Sequence, residues 1–289
     1  MGFNDVYNQI LLERNLNEEV YWSTNMSAFA NIAKDGYFIL TPAVGSDKIK
    51  GKDYRYYLCV SRVPENSFRN KSRSGVTLVL DGRMLSARYK TDPINYWHYP
   101  EFKGNIRGSS GNEAEERIYS DKPKLYTNDG KIIKEAHFVW SDYENHTGNI
   151  YEISKLKHTD IFVYDDVKAF AYLNKRKALL LDDYLKENNI KLITDKEVGN
   201  NYARNVDKLY DIVVDLEKGL PLGDTKKTYI SNYEIEDRKK EIRDLIDMAR
   251  FGKTEKTIET FEKYFNLLKK YNVSDSDELI DKILSEKNK

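Results

Sequence analysis

Three glutamates stand within four positions, Glu113, Glu115 and Glu116, with a Gly-Ser-Ser-Gly loop before them and a β-rich run, Arg117-Ile118-Tyr119-Ser120, after them. A surface helix spreads such charge over several turns, and a buried strand avoids it. Carboxylates held at the start of a strand can instead serve chemistry, because a strand fixes the direction of a side chain better than a loop does. Alternation along a strand sends Glu113, Glu115 and Arg117 to one face and Glu116 and Ile118 to the other. A charged Glu116 beside an apolar Ile118 is an awkward pair for a core face, so Glu116 competes with Glu115 for any chemical role. The bland alternative is a solvated acidic face.

Other chemistry-bearing residues are sparse. Asp81 followed by Glu101-Phe102-Lys103 has the outline of a metal-dependent nuclease, an acidic residue and then E-x-K, although "PEFKG" sits among turn residues. "FGKT" at Phe251–Thr254 ends like a phosphate loop, but Asp247 stands where its first glycine belongs, and a turn between two helices is the better reading. The chain has no GxGxxG run, and its four histidines, His98, His137, His146 and His158, have no HExxH spacing. The single cysteine, Cys59, lies among Tyr57, Leu58 and Val60 and reads as an inert strand thiol in a reducing compartment.

The glutamates gain meaning from what precedes them. "YWSTNMSAFANIAKDGYFI", "VSRV", "VTLVLDGRMLS" (Val76–Ser86) and "EAEER" (Glu113–Arg117) occur in that order. The series resembles the ADP-ribosyltransferase superfamily, in particular its DarT-like and phage-encoded branch, over about Val20 to Asp165. There a strand with His-x-Thr leads into a helix ending in Gly, a second strand carries Ser/Thr and Arg, and a third opens on the catalytic glutamate. The resemblance implies an α+β fold, an ADP-ribosyltransferase-like split β-sheet domain with strands in adjoining small sheets around one cleft. It implies NAD as substrate and Glu115 as the catalytic carboxylate, with Glu113 two residues before it. Tyr21, Trp22, Ser23 and Thr24, with Ser61 and Arg62, become the NAD-binding set, and Thr24 and Arg62 together should lie within about two helical turns, roughly 11 Å, of Glu115. Where the branch has histidine this chain has Trp22; Tyr21 or Trp22 would stack on a ring instead. Arg62 would clamp the pyrophosphate, for which a planar fork donor suits, with Arg69 and Arg73 as alternatives.

The chemistry suits these residue types. Breaking the bond between nicotinamide and ribose passes through an oxocarbenium-like transition state, and a carboxylate beside the sugar opposes its positive charge.

Positioning these groups needs strands and a helix, and the sequence supplies them. "NMSAFANIAKDG" puts Met26, Phe29, Ile32 and Ala33 on one helical face, with Ser23 and Thr24 as candidate caps and Gly36 as the stop. "YRYYLCVSRV", "GVTLVLDG", "AHFVW" and "DIFVYDD" read as strands, and "LDGRMLSARYK" as a short helix after one. "DDVKAFAYLNKRKALLLDDYLKENN" reads as one helix and "IKLIT" as a strand. Three apolar stripes follow: Ile242, Leu245, Ile246 and Ala249; Ile258, Phe261, Phe265 and Leu268; Leu279, Ile280, Ile283 and Leu284, the last opened by a capping-box-like "SDSD". A boundary near "EKGLPLGDTKK" divides a 1–220 α/β domain from a 221–289 helical module whose stripes must close on one another or on that domain.

The 289 residues carry 47 basic and 47 acidic side chains, so net charge gives no reason to expect nucleic acid or an anionic membrane as a bulk partner. The start has no basic and apolar leader, and no run has the length of a membrane span. The expectation is a cytoplasmic enzyme, in the host cytoplasm if phage-encoded. It would move ADP-ribose from NAD to a protein, DNA or RNA acceptor in phage or bacterial conflict, a toxin-like role. A protein partner or a second copy could dock on the C-terminal helices. Two alternatives stand beside it: a catalytically inactive ADP-ribosyltransferase-fold binding or virion-associated phage protein, and the metal-dependent nuclease.

Overall fold

The computed structural model describes residues 16, 19–44, 54–62, 75–93, 115–127, 131–140, 156, 158–166, 178–190, 203–222 and 231–287. Glu113, Glu101, Lys103, Arg69, Arg73, His98, His146 and residues 191–194 of the "IKLIT" run lie outside these residues. The chain is mixed α+β and forms two compact units, one of residues 1–38 and 57–199, the other of residues 39–56 and 200–289. Among the described residues no helix is long and apolar enough to cross a membrane.

The first unit is built on a mostly antiparallel sheet. Its strands are β1 (Glu19–Thr24), β4 (Tyr56–Ser61), β5 (Val76–Asp81), β6 (Lys90–Pro93), β7 (Glu115–Ser120), β9 (Ile133–Val139), β10 (Asp160–Tyr164) and β11 (Leu179–Leu180). They run in the order β11-β10-β9-β5-β1-β4-β7-β6, and β9 and β10 pair in parallel. The strands expected to occupy adjoining small sheets thus share one continuous sheet, because β1 pairs on both sides, with β4 and with β5. A separate two-stranded sheet joins β2 (Tyr37–Ile39) to β8 (Lys124–Tyr126), and β3 (Thr41–Pro42) follows β2.

Helix α1 (Met26–Asp35) is where its apolar face predicts. Its cap, however, is Asn25, whose side chain accepts from Ala28 N at 2.8 Å, and not Ser23 or Thr24, which are still paired in β1. Gly36 ends it at φ 76°, a conformation that costs glycine little, and donates to Ile32 O. Phe29 meets Phe138 of β9 at 6.0 Å between ring centroids, so α1 covers the sheet face that Phe138 occupies. The Asp165–Asn189 run expected as one helix breaks in two where it is described: Leu179 and Leu180 pair with β10, and α3 (Leu181–Glu187) begins after them. The apolar triplet Leu179-Leu180-Leu181 serves a strand edge first and a helix second. Between β5 and β6 lies α2 (Gly82–Arg88), capped by Asp81 through Met84 N at 2.9 Å.

The second unit holds α4 (Ala203–Glu217), α5 (Asn232–Ala249), α6 (Glu255–Tyr271) and α7 (Ser276–Lys287). The three stripes close on one another and on α4, which packs against both α5 and α6 and so belongs with the helices beyond position 220. Ser231 and Glu234 form a capping box on α5, and Asp275 accepts from Asp277 N and Glu278 N to start α7. Residues 39–56 join this unit at Tyr56, whose hydroxyl donates to Glu262 Oε1 and packs edge-on against Phe265. Burial, and then the bond to Glu262, raise its pKa far above the usual phenol range.

The "FGKT" run is a turn between α5 and α6. Thr254 caps α6, and Gly252 is pressed so closely that a Cβ there would lie 2.5 Å from both Thr257 Oγ1 and Val206 Cγ2. Gly252→Ala is therefore expected to destabilise the helical unit by about 1–3 kcal/mol, the usual cost of overpacking. A drop in the urea midpoint at unchanged slope would show it; an unchanged midpoint would mean that Val206 and Thr257 yield freely.

Lys239, nearly buried between α5 and α7, sits 2.7 Å from Asp281 and 3.0 Å from Glu236. The bond to Asp281, with that to Glu236, raises its pKa above the ordinary lysine value. The pair's stabilisation is complete below that ordinary value, about 10.4, and is lost as pH rises through the folded one. Asp281→Asn should accordingly lower the urea midpoint at pH 7, and the gap to wild type should close in strong alkali. A gap constant with pH would mean that the charge on Lys239 does not matter.

Candidate functional site

Strand pairing sorts the expected site residues between the two faces of the sheet. In β1, Tyr21 is opposite Ser61 of β4 and Val79 of β5, and Val79 is opposite Glu135 of β9. One step along, Ser23, Thr77, His137 and Phe162 are partners across four strands. Because alternate residues share a face, Tyr21, Ser23, Ser61, Thr77, Glu135 and His137 project to the same side. Tyr57 belongs there too, two alternations from Ser61, and the Arg117 guanidinium lies 4.4 Å from its ring centre.

Trp22 and Thr24 project to the opposite side, the one that α1 covers. Trp22 packs edge-on against Phe38 at 5.3 Å, and Thr24, opposite Val76, is buried. The Tyr21–Thr24 segment therefore does not act as one binding surface: Tyr21 and Ser23 share a face with Ser61, while Trp22 and Thr24 serve the core. Thr24 also lies three residues, about 10 Å, along β1 from Tyr21, in the direction away from Arg62.

Arg62, just past the end of β4, reaches the start of β7. Its Nε and Nη2 both lie 2.7 Å from Glu116 Oε2, and the Glu116 side chain is only 1% exposed. This explains the awkward alternation of "EERI". Glu116 and Ile118 are both buried, and the ion pair lets a carboxylate occupy a core position. Glu115 is the first residue of β7. Asp81, the described member of the nuclease trio, spends its carboxylate on the α2 cap.

A group of residues that sequence reading left without a role completes the face. His137 is fully buried between two partners: its Nε2 is 2.7 Å from Glu135 Oε2, and its Nδ1 is 3.1 Å from the Tyr164 hydroxyl. Phe162 stacks on the imidazole at 4.8 Å and 14°. Burial, reinforced by the Glu135 charge, raises the pKa of Tyr164 well above its usual value, so its hydroxyl keeps its proton. Thr77, opposite both Ser23 and His137, is fully buried, and its hydroxyl has no hydrogen-bond partner among the described residues. A buried hydroxyl in that condition costs about 1–3 kcal/mol. The signal for this group was present as "KEAHFVW": Glu135 and His137 are two apart, the strand period, and so share a face.

Compared with known proteins, the chain matches no family model, no curated protein and no solved structure.

Proposed function

We propose that the chain is an ADP-ribosyltransferase that cleaves NAD at the nicotinamide bond and passes ADP-ribose to a protein or nucleic-acid acceptor, in phage or bacterial conflict. In this reading Glu115 is the carboxylate that opposes the developing oxocarbenium charge, and Tyr21, Ser23 and Ser61 bind the NAD. The observation that carries this reading is the adjacency of β1, β4 and β7 in the sheet. Three segments far apart in sequence meet there, with Tyr21 opposite Ser61 and Arg62 bonded to Glu116. In this reading Arg62 is a structural anchor that sets the angle at which β7 presents Glu115, because its guanidinium is engaged by Glu116.

The test is incubation of the full chain with NAD labelled in its adenylate phosphate, alone and with protein, single-stranded DNA or RNA. Release of nicotinamide with label on one acceptor supports transfer. Absence of both nicotinamide release and labelling, under conditions where the chain is folded, removes it.

One observation favours the second reading, an inactive fold of this kind that only binds. The position of the family histidine is Trp22, and its ring is packed against Phe38. Binding of NAD by calorimetry without any nicotinamide release would select that reading.

A further inference from the structure

The two-stranded ribbon of β2 and β8 hides one face and shows the other. Phe38 and Leu125 are fully buried, while the residues that alternate with them, Tyr37, Lys124 and Tyr126, belong to the opposite side. Tyr126 is 58% exposed. Its ring meets that of Tyr37 edge to face, with 5.7 Å between centroids and 69° between planes. The Lys124 ammonium lies 4.3 Å from the centre of the Tyr37 ring.

A lone exposed tyrosine is ordinary on a protein surface; this one has basic company. The Gly36 carbonyl accepts from both Thr127 N and Thr127 Oγ1, at 2.9 and 3.0 Å, and Thr127 O accepts from Ile132 N at 3.2 Å. Three stretches of chain therefore meet beside Tyr126: the end of α1 with Lys34, the start of β8 with Lys122 and Lys124, and Lys131 just before β9. Lys34, Lys122 and Lys131 are exposed. Residues 34–37, 121–127 and 131 hold four lysines against two aspartates, Asp35 and Asp121. The balance is positive here in a chain whose total charge is zero.

A ring beside lysines matches one kind of polymer in both respects. A single-stranded nucleic acid offers base faces on which a tyrosine stacks and phosphates that lysines neutralise. A duplex keeps its base faces inside, and an acidic peptide brings charge without a regular series of ring faces. We propose that the outer face of the β2–β8 ribbon binds single-stranded nucleic acid, with Tyr126 stacking on a base and Lys34, Lys122 and Lys131 meeting the flanking phosphates. Tyr37 is a positioning residue that sets the angle of the Tyr126 ring. NAD has no part in this binding, so it stands or falls apart from the transferase reading.

The test is fluorescence anisotropy of the full chain with a labelled mixed-sequence single strand of about 12 nucleotides, within the range that single-strand binding sites span. Wild type should bind it, and should bind the blunt duplex of the same sequence at least about tenfold more weakly, because stacking is lost. Tyr126→Ala should weaken the single strand by about 5- to 100-fold, the effect of one lost stacking contact, and Tyr126→Phe should bind like wild type. Changing Lys34, Lys122 and Lys131 together to Gln should flatten the plot of log affinity against log salt by about 2, at about 0.7 per phosphate. All these side chains are exposed, so each variant should keep the wild-type urea midpoint. DNA and RNA of one sequence should agree within about threefold, since neither stacking nor phosphate charge reads the 2′-hydroxyl. A preference between them above about tenfold would place the deciding contact on a sugar and overturn the assignment. Equal affinity for the duplex overturns it, and so does a folded Tyr126→Ala chain that binds as tightly as Tyr126→Phe. Tighter binding of labelled poly-glutamate than of the single strand would make the ribbon an acidic-peptide site instead. A wild-type chain that binds no single strand ends the proposal outright.

Discussion

Glu115→Gln is expected to abolish nicotinamide release while the urea midpoint of the chain stays at its wild-type value. The substitution keeps the shape of the side chain and its hydrogen-bonding capacity and removes only its negative charge. That charge matters only when the ribose becomes cationic, so its loss falls on the transition state, by about 10²–10³ in rate. The comparison residue is one position away. Glu116 is 1% exposed and bonded to Arg62, so its charge is already matched within the protein. A Glu115→Gln chain that turns over NAD at the wild-type rate would move the active carboxylate elsewhere or end the enzyme reading, depending on whether any other acidic variant is silent.

Glu116→Ala should have the opposite signature, a large loss of stability. Removing one partner of a buried ion pair leaves the other charge desolvated and unmatched, at about 3–5 kcal/mol. The Arg62 side chain is itself only 14% exposed and cannot turn fully to water without leaving its place beside β7. A loss of that size is a large part of the roughly 5–15 kcal/mol that holds a domain together. The decisive control is the double variant Arg62→Met with Glu116→Leu, which takes away both charges and should recover most of the loss, since apolar pairs of similar volume commonly replace buried ion pairs without penalty. Urea unfolding of both singles and the double gives the coupling directly. If Glu116→Ala unfolds at the wild-type midpoint, the pair is ornamental and Glu116 returns as a candidate for chemistry.

Much of the fold was legible because local chemistry decided it. Met26, Phe29, Ile32 and Ala33 share a helical face whatever surrounds them, and Gly36 stops that helix by its left-handed backbone. The β-branched run at Val76–Leu80 has no competing period. Where sequence reading went astray, long-range contacts decided. Leu179 and Leu180 suit a helix as well as a strand, and only the free edge of β10 selects the strand. Asn25 displaced Ser23 and Thr24 as the cap because β1 holds those two in register with Thr77 and Val76. The site was legible in part. Tyr21, Ser23 and Ser61 do share a face, but Trp22 and Thr24 point away, since four consecutive strand residues cannot line one surface. The spacing of Glu135 and His137 was legible, but the second partner of His137, Tyr164, is 27 residues away and meets it through the parallel pairing of β9 and β10.

Residues 39–56 belong to the helical unit, yet 57–199 separate them from the rest of it. On a ribosome the order of events matters. At about 5–20 residues per second, the early segment waits roughly 7–30 s before the first of its helices is made, and longer before Glu262 can accept the Tyr56 hydroxyl. During that interval Tyr56, buried in the finished protein, lacks the late-made Glu262 and Phe265 that it meets there. Slowed elongation anywhere between the two pieces lengthens that exposure, so the yield of native chain should depend on synthesis rate in a way that the equilibrium stability of either unit does not reveal.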